Sequence, residues 1–245
     1  RQWQVVKEEY FTATGRCAVK TQTGLVLALK YHLSDNERLT EQMLRKLLRD
    51  NKNKLNTGFV GTPLLCNVLT EHGMTDLAYR LLLNEEYPGW LHEVKLGATT
   101  VWERWNSLDE NGRISSTGMN SLNHYSYGAV LEWIFRHVAG IDVTEQGPGG
   151  KMMRISPKVD HKLGSASAVY DSASGCYRCG WQIENGDQIT VTVTVPFGAK
   201  AQVILPYAPD SVYHDTDNPL FETVENGICC VKAGQYTVTY KAASP

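Results

Sequence analysis

The chain has 245 residues, 42% hydrophobic and 9% aromatic, a globular composition with apolar mass for one large or two ordinary domains. Its 24 basic and 26 acidic residues give a net charge of −2, and no basic block occurs, so neither nucleic acid nor an anionic membrane is implied as a partner. No apolar run approaches the roughly 20 residues that span a bilayer.

Arg1-Gln2-Trp3-Gln4 is not a signal peptide, and the chain lacks an initiating Met; it reads as a mature or excised segment. Its compartment stays open, with the cytoplasm preferred.

Before Gly140 the apolar period is helical. Residues 3–11 and 21–33 read as helices, the second carrying Leu25, Leu29 and Leu33 at one spacing. Asn36 and Glu37 open the next, through Leu39, Met43, Leu44, Leu47 and Leu48, ending in the charged run 49–54. Thr62 is the expected N-cap of a further helix with Pro63 at its first position, and Gly73 its stop. Another helix starts at Thr75 and includes Leu77, Tyr79, Leu81 and Leu82. Short connections between such neighbours make antiparallel hairpins.

Residues 97–105, Gly-Ala-Thr-Thr-Val-Trp-Glu-Arg-Trp, read as a strand, because small and β-branched residues favour extended backbone. Alternation would then set Val101 and Glu103 on one face and Trp102 on the other. Glu103 among indole rings would lose solvation, which raises a carboxyl pKa towards the range useful for proton transfer. Tryptophan faces also suit the C–H face of a sugar.

Residues 106–119 form a polar loop, long enough to cover a site. Residues 123–138 read as the last helix, with Tyr127, Val130, Leu131, Ile134 and Val138 on one stripe.

Gly147-Pro148-Gly149-Gly150 is the clearest boundary, so the chain divides into 1–141, a linker 142–150, and 151–245. Beyond it the period is two. Residues 188–195 alternate strictly, and Asn185-Gly186 joins them to 177–183 in a hairpin. Residues 200–205 and 235–240 alternate too, and Asn226-Gly227 marks a second hairpin. Such short strands read as an antiparallel sandwich. Cys176 and Cys179 form a C-x-x-C, but on a strand residues three apart face opposite sides, so no metal site is expected from them, and no cofactor is called for.

Four blocks appear in order: Thr57-Gly58-Phe59-Val60-Gly61-Thr62-Pro63; Leu81-Leu82-Leu83-Asn84-Glu85-Glu86-Tyr87-Pro88-Gly89-Trp90; the nonapeptide ending in Trp102-Glu103-Arg104-Trp105; and Ser121-Leu122-Asn123-His124-Tyr125-Ser126-Tyr127-Gly128. Together they resemble the bacterial α-L-rhamnosidases of glycoside hydrolase family 78. The resemblance runs from Cys17 to Gly140, and more loosely through the β region. It implies the second half of an (α/α)6 toroid followed by a β-sandwich, and inverting hydrolysis of terminal α-L-rhamnosyl linkages.

By the same resemblance Glu103 is the general base and His124 lies in the sugar pocket. The family's general acid sits in the first half of the toroid, so the implied partners are a rhamnosylated carbohydrate or glycoside and the missing N-terminal half of the same enzyme.

Trp102, Trp105, Arg104 and Tyr125 join His124 as candidate substrate contacts, with one of the two tryptophans expected to line the pocket. Of Tyr125 and Tyr127, one is a pocket residue and the other core. Glu85, Glu86 and Glu93 read as solvated helix-end charges. Two other functions stay open: an α/α-toroid polysaccharide lyase using His124, Tyr125 and Arg104, and a non-catalytic carbohydrate-binding piece.

Overall fold

A computed structural model describes residues 2–109, 111–115, 118–145, 147–215 and 217–243. They form two compact units, 1–131 and 132–245.

The first unit is helical: α1 Gln2–Tyr10, α2 Gln22–Lys30, α3 Glu37–Asp50, α4 Thr62–Glu71, α5 Thr75–Leu82 and α6 Trp90–Lys95. Thr21 caps α2, its hydroxyl accepting the Gly24 N–H at 3.0 Å, and Leu25, Val26, Ala28 and Leu29 face inward. Asn36 caps α3 through the Leu39 N–H at 3.1 Å. Only the narrow stripe Thr40, Leu44 and Leu48 of α3 is buried, at a spacing of four, and its charges stay outside.

On α4 the expected cap moves by one residue: Gly61 is the N-cap, and Thr62 is already helical. The Thr62 hydroxyl instead bonds that of Thr57 at 2.8 Å, so it is used for tertiary structure rather than for capping. Leu65, Cys66, Val68 and Leu69 are buried, and Gly73, at φ 68°, takes the left-handed conformation that ends the helix. Helix α2 packs on α3 and α4, and α4 on α5.

The segment expected as one last helix is wound in three ways: a 3-10 turn Ser126–Ala129, a short α-helix α7 Val130–Trp133, and a π segment Ile134–Val138. The changing pitch rotates the expected stripe, leaving Leu131 exposed and burying Trp133 completely.

The second unit holds a five-stranded and a four-stranded sheet. The first orders β1 Ile141–Val143, β2 Met152–Ile155, β6 Lys200–Val203, β8 Ile228–Val231 and β7 Val224–Glu225. The second orders β3 Ser165–Ser172, β4 Gly175–Glu184, β5 Gln188–Val195 and β9 Gly234–Lys241. Both expected hairpins form, with Asn185, Gly186, Asn226 and Gly227 all at positive φ. On β5, Ile189, Val191, Val193 and Val195 are buried as the alternation requires.

Antiparallel pairing is broken once, where β2 runs parallel to β6. The chain between them passes through β3, β4 and β5 of the other sheet, so no tight turn forces a reversal. The Tyr177 hydroxyl donates towards the carbonyls of Gly150 and Lys200, at 2.7 and 3.0 Å, tying β4 to the start of β6. Within the stretch expected as a linker, Asp142 and Val143 belong to β1, and Pro148–Gly150 is a 3-10 turn.

Candidate active site

The site is built on the segment that leaves α6. Gly97, at φ 85°, turns the chain out of the helix, a conformation that Cβ-bearing residues resist. The Glu93 carbonyl accepts the N–H groups of Leu96 and Ala98, at 3.1 and 3.0 Å, closing that turn.

Residues 97–105 do not form the expected strand; the stretch is irregular, with no ladder neighbour. Its backbone groups are satisfied one at a time by different partners. Val101 C=O accepts the His124 N–H at 2.8 Å, and the Glu103 N–H donates to Ser121 C=O at 2.9 Å. Between those two bonds, the Trp102 N–H donates to Glu93 Oε2 at 3.4 Å. The Arg104 N–H donates to Ser107 Oγ at 3.1 Å, and the Thr100 hydroxyl donates to Leu122 C=O. Four successive residues, 101–104, are thus each held through the main chain, which fixes where their side chains point.

The two indoles are interior. Trp102 is 2% exposed and Trp105 8%, so the expectation that one offers a free ring face to a sugar gives way to a packing role. Trp105 lies flat on Tyr127, centroids 4.0 Å apart and planes 7° apart, and meets Trp90 edge-on at 5.4 Å. Its Nε1 donates to Thr57 C=O at 3.0 Å. Residues 54–57 are themselves positioned by buried Gln22, whose side chain donates to Lys54 C=O and accepts the Asn56 N–H, both at 2.8 Å.

Glu103 and Arg104 are partly exposed between these buried rings. His124 is sandwiched between Phe59 and Tyr125, at centroid distances of 5.0 and 5.2 Å with near-parallel planes. Its Nδ1 accepts the Ser126 N–H at 3.3 Å, so in the neutral ring the proton sits on Nε2. Tyr125 is 85% exposed and Tyr127 buried, which settles which of the two tyrosines is core. Burial raises the Tyr127 phenol pKa; the Glu93 charge adds to that, Arg104 opposes it and Glu103 reinforces it.

Glu93 is the largest departure from the sequence reading. Glu85 and Glu86 are exposed and pair with Lys95 and Lys54, as solvated charges do. Glu93 is 3% exposed, because one turn after Trp90 on α6 it shares that helix's inward face. Apart from the Trp102 N–H on Oε2, no group among the described residues hydrogen-bonds the carboxyl, and Oε1 has no partner. Burial therefore lifts its pKa to about 7, which the Trp102 contact opposes only in part. The spacing from Trp90 was the available signal, but it counts only once 90–95 is known to be helical.

This shift has a measurable sign. Below the unfolded pKa, about 4.3, both states keep the proton. Between there and about 7 the folded state keeps it and the unfolded state has lost it, so stability declines as pH rises through the folded pKa. Glu93→Gln removes that slope. Relative to the parent, the variant gains stability from pH 4 to pH 8 by about 3 kcal/mol at most, taking 1.36 kcal/mol per pKa unit. Unfolding midpoints of the full-length protein across that range check this, and parallel curves would refute it.

Among the described residues no three His, Cys, Asp or Glu side chains are grouped to hold a metal ion. Nor is any helix there long and apolar enough to cross a membrane.

A family model described as bacterial alpha-L-rhamnosidase 6 hairpin glycosidase domain matches residues 3–138. The corresponding C-terminal domain model matches residues 140–218. An α-L-rhamnosidase of Alteromonas sp. (strain LOR) is 39% identical over 221 residues, covering 89% of this chain and 23% of the relative. One from Formosa agariphila is also 39% identical, over 208 residues, covering 84% of this chain and 22% of the relative.

The crystal structure of Streptomyces avermitilis α-L-rhamnosidase complexed with L-rhamnose superposes with a TM-score of 0.87 at 32% identity, over 98% of this chain and 23% of that one. The chain thus spans under a quarter of the length of the curated relatives it matches. With residues 3–138 matched by the six-hairpin model and strands β1 to β6 by the C-terminal domain model, the chain belongs to the bacterial α-L-rhamnosidase family.

Proposed function

We propose that this chain supplies the general base of an inverting glycoside hydrolase that removes terminal α-L-rhamnosyl residues from glycosides or polysaccharides. The base is Glu103. In this reading residues 1–141 belong to the catalytic toroid, 151–245 form the C-terminal sandwich, and the general acid comes from the toroid's other half. The observation that carries it is a partly exposed carboxylate on a segment whose neighbours are held residue by residue. Such preorganisation is what a base needs to draw a proton from a water aimed at the anomeric carbon.

Inversion requires the base and the acid to stand on opposite faces of the sugar, about 6.5–9.5 Å apart, with that water between base and ring. His124 donates from Nε2 to a sugar hydroxyl, while Tyr125 and Arg104 border the ring. The chemistry is tested by the first anomer released. Proton NMR during hydrolysis of an aryl α-L-rhamnoside by the full-length enzyme gives β-L-rhamnose first, with the α anomer appearing only by mutarotation. Direct release of α-L-rhamnose removes the inverting mechanism and the base role with it.

A further inference from the structure

We propose that Glu93 is a positioning residue for the reaction, aiming Glu103 by holding the Trp102 amide from inside the fold. The proposal rests on the reading of Glu103 as base.

Burial of an acidic side chain with one hydrogen bond is costly, and a helix whose inward face needed only packing would carry an apolar residue there. Among the described residues Glu93 has that burial and that single partner. The partner is the amide directly before the base. The neighbouring main-chain bonds, His124 N–H to Val101 C=O and Glu103 N–H to Ser121 C=O, tie the segment to residues 121–124. Among the described residues, the hydrogen bond from 101–103 to α6 is this Glu93 contact. It therefore sets the rotation of the 101–103 backbone about the other two bonds, and with it the direction of the Glu103 carboxylate. A carboxyl oxygen accepts the Trp102 N–H whether or not Glu93 is protonated, and so does a glutamine oxygen; leucine offers none.

The experiment is a cycle in the full-length enzyme with an aryl α-L-rhamnoside. Glu103→Ala is measured first, with and without azide. Azide brings its own electron pair to the anomeric carbon and has no proton to lose, so it replaces water and base together while the aryloxide leaves. If Glu103→Ala still hydrolyses at the parental rate, the base reading has failed, and this proposal falls with it.

With Glu103→Ala inactive in water and revived by azide, Glu93→Leu in the parent is expected to lower kcat by about 10²-fold, the cost of misplacing a catalytic group by an ångström. KM moves by less than about twofold, since substrate contacts are untouched. Glu93→Gln retains most of the rate. Glu93→Leu added to Glu103→Ala leaves the azide-driven rate within about twofold, because azide does not depend on where Glu103 points. An equal loss in both backgrounds would mean a general structural role and overturn the proposal, as would full kcat in Glu93→Leu.

Should the leucine variant not fold, Glu93→Asp serves in its place. It draws the carboxyl back by one methylene from a contact already 3.4 Å long, so kcat falls while the azide-driven rate holds. Undiminished kcat in Glu93→Asp overturns the proposal equally.

Discussion

Glu103→Gln in the full-length enzyme lowers kcat for an aryl α-L-rhamnoside by about 10²–10⁴-fold, the range a positioned acid or base contributes, while substrate binding stays within about twofold. Glutamine keeps the size of the side chain and its capacity to hydrogen-bond. What it loses is the ability to take a proton from water at neutral pH. Steady-state kinetics with calorimetric binding of an unhydrolysed rhamnoside separates the two effects. Retained turnover would assign the proton transfer elsewhere, and parallel loss of binding would make Glu103 a sugar contact instead.

Trp105→Ala has the next largest expected effect, on stability. The indole stacks on Tyr127, meets the edge of Trp90 and donates to Thr57 C=O, so alanine opens a cavity among aromatic rings and strands a carbonyl. Truncating a buried large aromatic costs about 3–5 kcal/mol. Trp105→Phe keeps a ring against Tyr127 and loses the hydrogen bond, which costs about 1–3 kcal/mol. Chemical unfolding of the full-length protein measures both. An alanine variant within about 1 kcal/mol of the parent would show that this aromatic group does not hold the segment.

How far the sequence carries depends on whether a signal is local. The Asn-Gly turns were readable because positive φ at two successive residues is a demand on those residues alone. Helices α2 to α5 were readable because each has an apolar stripe of its own.

Helix α6 was missed: it is six residues long, and its inward positions are Trp90 and Glu93, so hydrophobic period fails at Glu93. The nonapeptide looked like a strand because β-branched residues favour extended backbone. A strand also needs a neighbour, and the partners here, Glu93, Ser121, His124 and Ser107, come from scattered places. The idea of a desolvated carboxyl among indoles was physically sound but landed on Glu103. The carboxyl that loses its water is Glu93, earlier in the chain and on the inner side of the same segment.

The polar loop after the site is closed at its neck. Asn120 donates to Ser107 C=O at 2.9 Å and accepts the Ser107 hydroxyl at 2.6 Å, while Leu108 and Ile114 form a single antiparallel bridge just beyond. The bonds that hold residues 101–104 all lie on the site side of that clasp or within it. The Ser115 N–H also donates to Ser107 C=O at 3.0 Å, so the described part of the loop is fastened at the same neck. Doubling a flexible loop costs only about 0.6 kcal/mol of closure entropy. Lengthening the chain at the Asn111–Gly112 turn is therefore expected to leave the Ser107–Asn120 pair, and the Arg104 N–H bond to Ser107, in place.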